Sequence, residues 1–412
     1  MCDGNLYSGV AVLIDDEIDN PRANVAELKK SIERKKIPYL SYDSIPDIEA
    51  IHFRDISFLI LDWKLSSLAE EEIIEGVTLQ GLSASGISEN IEFIEKIKDL
   101  CFIPIFIFTN ESTDVIKNKL KENGLYHENR PNFIFVKSKS ELNANLFDEI
   151  ESWINANPPV YVLKKWEKCY KKAKSALFSY FFNLSPSWPG ILWKTYTQDS
   201  VNCNNEIRNT ISQNILTRMG MLNLQESKVK KDGETSVSDC SEITKVLQGS
   251  YLIKNENLSK NDIAPGDIFF LNEGHSMQGV PAGTRYLLNI RPECDTVVGR
   301  LPGSHAADDT RLYCLPGIVH VFDASTDLEG GSGEKGLIIE KISCALVPFI
   351  DPNNGWIEFD FKNLYIFKWS QLRNKRTGRL LPPYITRIKQ RYAQFLQREG
   401  LPRIPKELIP IP

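Results

Sequence analysis

Four short apolar runs, far apart in the chain, each stop at a polar side chain. Residues 11–14 lead to Asp15 and Asp16, 58–61 to Asp62, 105–108 to Thr109 and 133–136 to Lys137. In an open parallel sheet the carboxyl ends of the strands line one edge, and ligands bind there. Strands built on these runs would therefore bring three acids, a hydroxyl and an amine together from distant positions.

The intervening sequence supports such a sheet. Asn20-Pro21 has the chemistry of an N-cap followed by a first helical residue, and Val25, Leu28 and Ile32 then recur at helical spacing. Residues 38–42 predict a second strand, and Ser44-Ile45-Pro46 opens a helix containing Ile48 and Ile51. Further helical stripes are Ile91, Ile94 and Ile97, then Val115, Ile116 and Leu120, then Leu142, Leu146, Ile150 and Trp153. Strand and helix in alternation predict a parallel sheet covered on both faces over the first ~155 residues. Residues 66–87 form an irregular acidic stretch, a length that marks a functional loop in a compact domain.

Past residues 155–159, which read as a linker, the period changes. Leu163, Trp166, Tyr170, Ala173, Leu177 and Phe181 make one helical stripe, with Lys164, Lys165, Lys168, Lys171 and Lys172 as its solvated face. With Ile207, Ile211, Ile215 and Met219 this gives a helical connector over 160–224. From 245 to 412 short β runs separated by Gly, Pro and Asp predict a small barrel or sandwich. It closes on a basic C-terminal helix opened by Pro382-Pro383.

The order of acidic pair, Asp, Thr and Lys on successive strands resembles the receiver domain of response regulators. The resemblance covers residues 1–155 and implies a flavodoxin-like doubly wound sheet of five strands. It also implies that Asp62 is the phosphoacceptor, with Thr109 and Lys137 contacting the phosphoryl group. Asp15, Asp16, Asp62 and the backbone carbonyl of Lys64 would hold Mg2+, an ion that favours oxygen ligands. A histidine kinase would be the phosphoryl donor. Two positions depart from the family: Ser138 follows the lysine where Pro is usual, and Ile134 occupies the aromatic switch position. The same residues also have a plain structural reading, as helix caps and loop hydrogen bonds. A receiver joined to a β-rich tail is similar to components of Detocs-like phage-defence systems, which implies output through an unknown protein or service as a phosphate sink.

Composition narrows the alternatives. A hydrophobic fraction of 42% and charged fraction of 25% suit a soluble globular chain. No apolar run approaches a membrane span, and eight scattered cysteines without a Cys-x-x-Cys pair point to a reducing cytoplasm. Net charge is −5, yet from Phe361 onward about a dozen Lys and Arg face about two acids. Arg387, Lys389, Arg391 and Arg398 beside Tyr392 and Phe395 would suit nucleic acid, or a helix packed on its own domain. Glu293, Cys294 and Asp295, with His275, His305, Cys314 and His320, offer zinc ligands or a Cys–His pair for a nuclease-like effector; their spacing fits no compact zinc motif. A homodimer is compatible with all of these readings.

Overall fold

The strand-forming runs assemble side by side as the strand-end argument requires. The structure is a computed structural model. It describes residues 9–20, 24–47, 53–65, 79–128, 132–141, 146–229, 237–272, 279–298, 307–321, 338–348, 350 and 355–398. Pro21, Ile48, Ile51, Leu142, His275, His305 and most of the acidic stretch lie outside these residues. The chain divides into two compact units, residues 1–184 with 212–233, and 185–211 with 234–412.

The first unit is built on a parallel five-stranded sheet, in the order β2-β1-β3-β4-β5. The strands are β1 (Val10–Ile14), β2 (Tyr39–Tyr42), β3 (Ile56–Asp62), β4 (Ile105–Thr109) and β5 (Ile134–Ser138). Alternate strand residues face opposite layers. Leu13, Phe58, Ile60, Phe106 and Phe108 pack under α1 (Asn24–Arg34) and α4 (Leu146–Ala156). Val12, Ile14, Leu59, Leu61, Ile105 and Ile107 pack under α2 (Leu79–Leu100) and α3 (Thr113–Glu122). Both faces are apolar, so every residue of β3 is buried, its final aspartate included. The order reverses between β1 and β3, and in such sheets the crevice beyond the strand ends at that point is where ligands sit.

The expected linker at 155–159 is instead a one-residue break. Asn157 separates α4 from α5 (Pro158–Leu184), and its side-chain amide donates to the Trp153 carbonyl. Prolines fit here because the first turn of a helix needs no N–H partners. Val160 and Tyr161 then bury in the α1/α4 layer, so the start of α5 belongs to the α/β core. The lysine face predicted for this helix also needs correction. Lys164 is buried, and its ammonium donates to the Ser57 carbonyl at 2.8 Å and to Glu167 at 3.0 Å. Burial pushes its pKa down, against the pull of Glu167.

Among the described residues the second unit holds a nine-stranded antiparallel sheet, whose strands include β6 (Leu252–Lys254), β10 (Ile339–Glu340), β11 (Cys344–Val347) and β14 (Arg376–Leu380). Its long strand β9 (Arg311–His320) pairs with β8 (Tyr286–Asn289) on one side and with β12 (Trp356–Asp360) and β13 (Tyr365–Lys368) on the other. The C-terminal helix Tyr384–Leu396 seals one face with Ile385 and Ile388, as its apolar stripe predicts. Buried Asp267, on β7 (Asp267–Phe270), accepts from Arg379 at 2.8 Å and from the Ala264 N–H at 3.0 Å. The Pro265-Gly266-Asp267 turn feeding this strand has Gly266 at φ +94°, where a Cβ would stand 2.1 Å from the Leu380 carbonyl oxygen. Gly266→Ala is expected to cost about 2 kcal/mol or more, read as a lowered urea midpoint. Gly283→Ala, at φ +86° but with open space around it, should cost less.

Candidate functional site

The acidic edge forms where β1 and β3 end. Asp15 follows β1 directly, Asp16 begins the next turn, and Asp62 is the last residue of β3. One carboxylate oxygen from each lies within 4.8 Å of the others. Asp15 and Asp62 are buried and Asp16 is half-buried. The Asp15 carboxylate also accepts the Glu17 N–H at 3.0 Å, which fixes the turn after β1.

The amine that enters this cluster is Lys139, not Lys137. Lys139 Nζ donates to Asp62 Oδ2 at 2.7 Å and to Asp15 Oδ2 at 2.9 Å, and the lysine is only 6% exposed. Lys137 instead pairs with Glu149 of α4 at 2.8 Å. The sheet register explains the exchange. Asp62, Phe108 and Lys137 lie in one line across β3, β4 and β5, and paired residues of adjacent strands point to the same face. The buried Phe108 ring therefore stands between Lys137 and Asp62. Strand β5 runs on to Ser138, which pairs with Thr109, and Lys139 begins a single 3-10 turn, Lys139–Glu141. Freed from the strand's alternation, its side chain folds back over the edge.

Thr109 is brought to the same edge and is fully buried at the end of β4. Its hydroxyl oxygen accepts the Glu111 N–H at 3.0 Å. The Lys64 N–H reaches back to Asp62 Oδ1 in a long hydrogen bond of 3.4 Å. Of the departures seen in sequence, Ile134 is a buried core residue, and the Ser138 hydroxyl bonds that of Ser140 at 2.8 Å.

Electrostatics follow from placing like charges together out of water. Burial, first, pushes the Asp62 pKa up to about 6; Asp15 adds to the rise, while Lys139 and the Lys64 N–H oppose it. For Lys139 burial favours loss of the proton, but the two carboxylates outweigh it and its pKa is raised. The three carboxylates carry more negative charge than one ammonium cancels, and the donors are all oxygen. This cluster could hold a metal ion, and its hard oxygen donors suit a hard divalent cation.

The constellations of the second unit do not come together among the described residues. Cys314 is buried in the β9 core, and its thiol pKa is raised by burial. Cys294 is exposed on the short helix Glu293–Thr296, which follows β8 where Asn289 pairs with Cys314. His320, beside Glu358 at 3.3 Å, ends β9 at its other end. At ~3.3 Å per residue those positions lie about 20 Å apart along the strand. On the basic helix, Arg387 and Arg391 both pair with Glu340.

No protein-family model matches this chain, and no curated protein matches it in sequence. Among the described residues, no helix is long and apolar enough to cross a membrane.

Asp62 links this geometry to stability. Its folded-state pKa lies above the ordinary 3.8, so its contribution favours folding below that value and is lost as pH rises through about 6. In metal-free buffer, Asp62→Asn should remove this loss and leave the protein more stable at pH 7 by on the order of 2 kcal/mol. Thermal melts of both proteins at pH 4 to 8 with chelator check this; an Asp62→Asn protein no more stable at pH 7 than wild type would contradict it.

Proposed function

We propose that the first unit is a phosphoryl-accepting switch of the receiver type, with Asp62 as acceptor. The observation that carries this reading is the Lys139 ammonium bridging Asp62 and Asp15 on a three-carboxylate edge. A strand-end carboxylate held by an amine, beside two more carboxylates, is poorly suited to a purely structural role. An uncharged core would avoid the desolvation that raises the Asp62 pKa.

Asp62 supplies the nucleophile. The donor is a phosphorylated histidine of a kinase. An Asp62 carboxylate oxygen forms the new O–P bond as the P–N bond breaks, and the leaving imidazole nitrogen keeps the electron pair and takes a proton. Lys139 is placed to follow the charge from the carboxylate onto the phosphoryl oxygens, and the Thr109 hydroxyl, at the next strand end, offers a donor. Bound at Asp15, Asp16, Asp62 and the Lys64 carbonyl, Mg2+ would neutralise the charge that gathers on those oxygens. We read its output as contact with a protein partner or service as a phosphate sink, and thiols at Cys203, Cys294, Cys314 and Cys344 suit a reducing cytoplasm.

An enzymatic second unit is the weaker reading, because Cys294 and His320 sit at opposite ends of β9. A nucleic-acid surface on the C-terminal helix would first have to release Arg387 and Arg391 from Glu340.

Beryllofluoride with Mg2+ mimics an acyl phosphate, and wild type should bind it as a distinct fluorine NMR signal that Asp62→Ala abolishes. Equal binding by Asp62→Ala would reject the assignment. Lys139→Ala should slow phosphoryl uptake from a small phosphodonor by roughly 100-fold, while Lys137→Ala stays within about twofold of wild type because Phe108 separates it from the acceptor. The nucleophile is the ionised form, so at low Mg2+ uptake should climb as pH passes about 6. A rate that is flat from pH 5 to 8 would argue against Asp62.

A further inference from the structure

We propose that Gly86 and Asn90, one turn apart on α2, clasp the turn that follows Asp62 and so set where the acceptor carboxylate stands. This deepens the acceptor reading and rests on it. Asn90 is fully buried, and its Nδ2 donates to the Trp63 carbonyl at 2.6 Å, across 27 residues of sequence. Its Oδ1 has no partner. An amide buried with half its capacity unused is costly, and an apolar residue would pack there at less expense. The orientation is nevertheless fixed, because a reversed amide would set two oxygens against each other.

Gly86 makes the second contact. A Cβ at this position would stand 3.2 Å from the Leu65 carbonyl oxygen, so a glycine lets α2 approach the backbone this closely. Positions four apart lie on one helix face, so both contacts come from the same side of α2. Between the clasped residues sits Lys64, whose N–H reaches back to Asp62 Oδ1 at 3.4 Å. Residues 66–78 separate the turn from α2 in sequence, so the Asn90 bond ties the turn to the helix without a short connection. Asn90 and Gly86 are positioning residues: they act on Asp62 through the backbone of Trp63, Lys64 and Leu65.

The test uses the full chain and Mn2+ as the probe, with free Mn2+ read by electron paramagnetic resonance. Asp62→Asn serves as the site control. Asn90→Leu, matched in size but without the donor, should weaken Mn2+ binding about tenfold, as loss of an outer hydrogen bond does elsewhere. It should also shift the Lys64 amide resonance, because the Trp63 carbonyl and the Lys64 N–H belong to one peptide group; the Mn2+ affinity is the readout that a packing role alone would not move. Gly86→Ala should shift both readouts in the same direction by about threefold in affinity. Unchanged Mn2+ affinity in Asn90→Leu overturns the clasp and leaves the acceptor reading standing. If Asn90→Leu does not fold, Gly86→Ala decides: unchanged affinity there overturns the clasp. Mn2+ binding that depends on Asn90, in a protein that takes up no phosphoryl mimic, supports the clasp and rejects the acceptor. Wild type that binds no Mn2+ overturns both.

Discussion

Two carboxylates buried side by side at the end of a sheet are unstable unless a cation joins them, and the first unit is organised around meeting that condition. Lys139 does so directly, from a turn beyond the last strand. The parallel sheet favours this arrangement, because helices cover both faces and the strand ends are where ligand-binding side chains gather. The cluster remains under-neutralised even so, and burial still raises the Asp62 pKa. A divalent cation or a phosphoryl group would each change that balance, in the way a binding site requires.

The second unit handles buried charge differently. Asp267 is wholly enclosed, yet its oxygens are taken by Arg379 and the Ala264 amide, and Arg376 lies 3.7 Å away. Arg376 in turn donates to Asn255 and to the Ser259 carbonyl. Nearly every donor and acceptor there is used within the protein, which is the pattern of a structural brace. The acidic edge of the first unit differs in charge: three carboxylates gather around the one ammonium of Lys139, where Asp267 stands beside two guanidinium groups.

How much of this was legible in the sequence depended on whether a local rule decided it. The strands of the first unit and the three acids were readable, since uninterrupted apolar runs ending in Asp have few other uses. The amine lies two residues beyond the position that the sequence points to. Sequence alone does not show that β5 continues to Ser138, or that the Phe108 ring fills the line between Lys137 and Asp62. The crowd of lysines on that helix predicts a solvated face, and only the packed position of α5 shows that Lys164 caps a strand carbonyl. Asn90 lies among Ile87, Ile91, Ile94 and Ile97, and a polar residue inside such an apolar stripe is the one signal that could have drawn attention to it. In the β unit most strands and the closing helix are readable from turn chemistry and periodicity, but residues 245–251, expected to be β, end a helix, Val237–Tyr251. The pairing order of the strands is not readable, because antiparallel partners are chosen by long-range packing.

Strand β3 is gripped by a lysine at each end. Lys164 of α5 holds the carbonyl of Ser57 near its start, and Lys139 holds Asp62 at its finish. Between them the strand is buried on both faces and bonded to β1 and β4, so it moves as a rod or not at all. At ~3.3 Å per residue that rod is about 16 Å long between the two grips. The acid end of the strand and the root of α5 are thus joined through one rigid element, by the Lys164 hydrogen bond and by the core packing of Val160 and Tyr161. Because α5 runs on for 20 residues, or about 30 Å, beyond Lys164, a tilt of a few degrees there would move its far tip by about 2 Å.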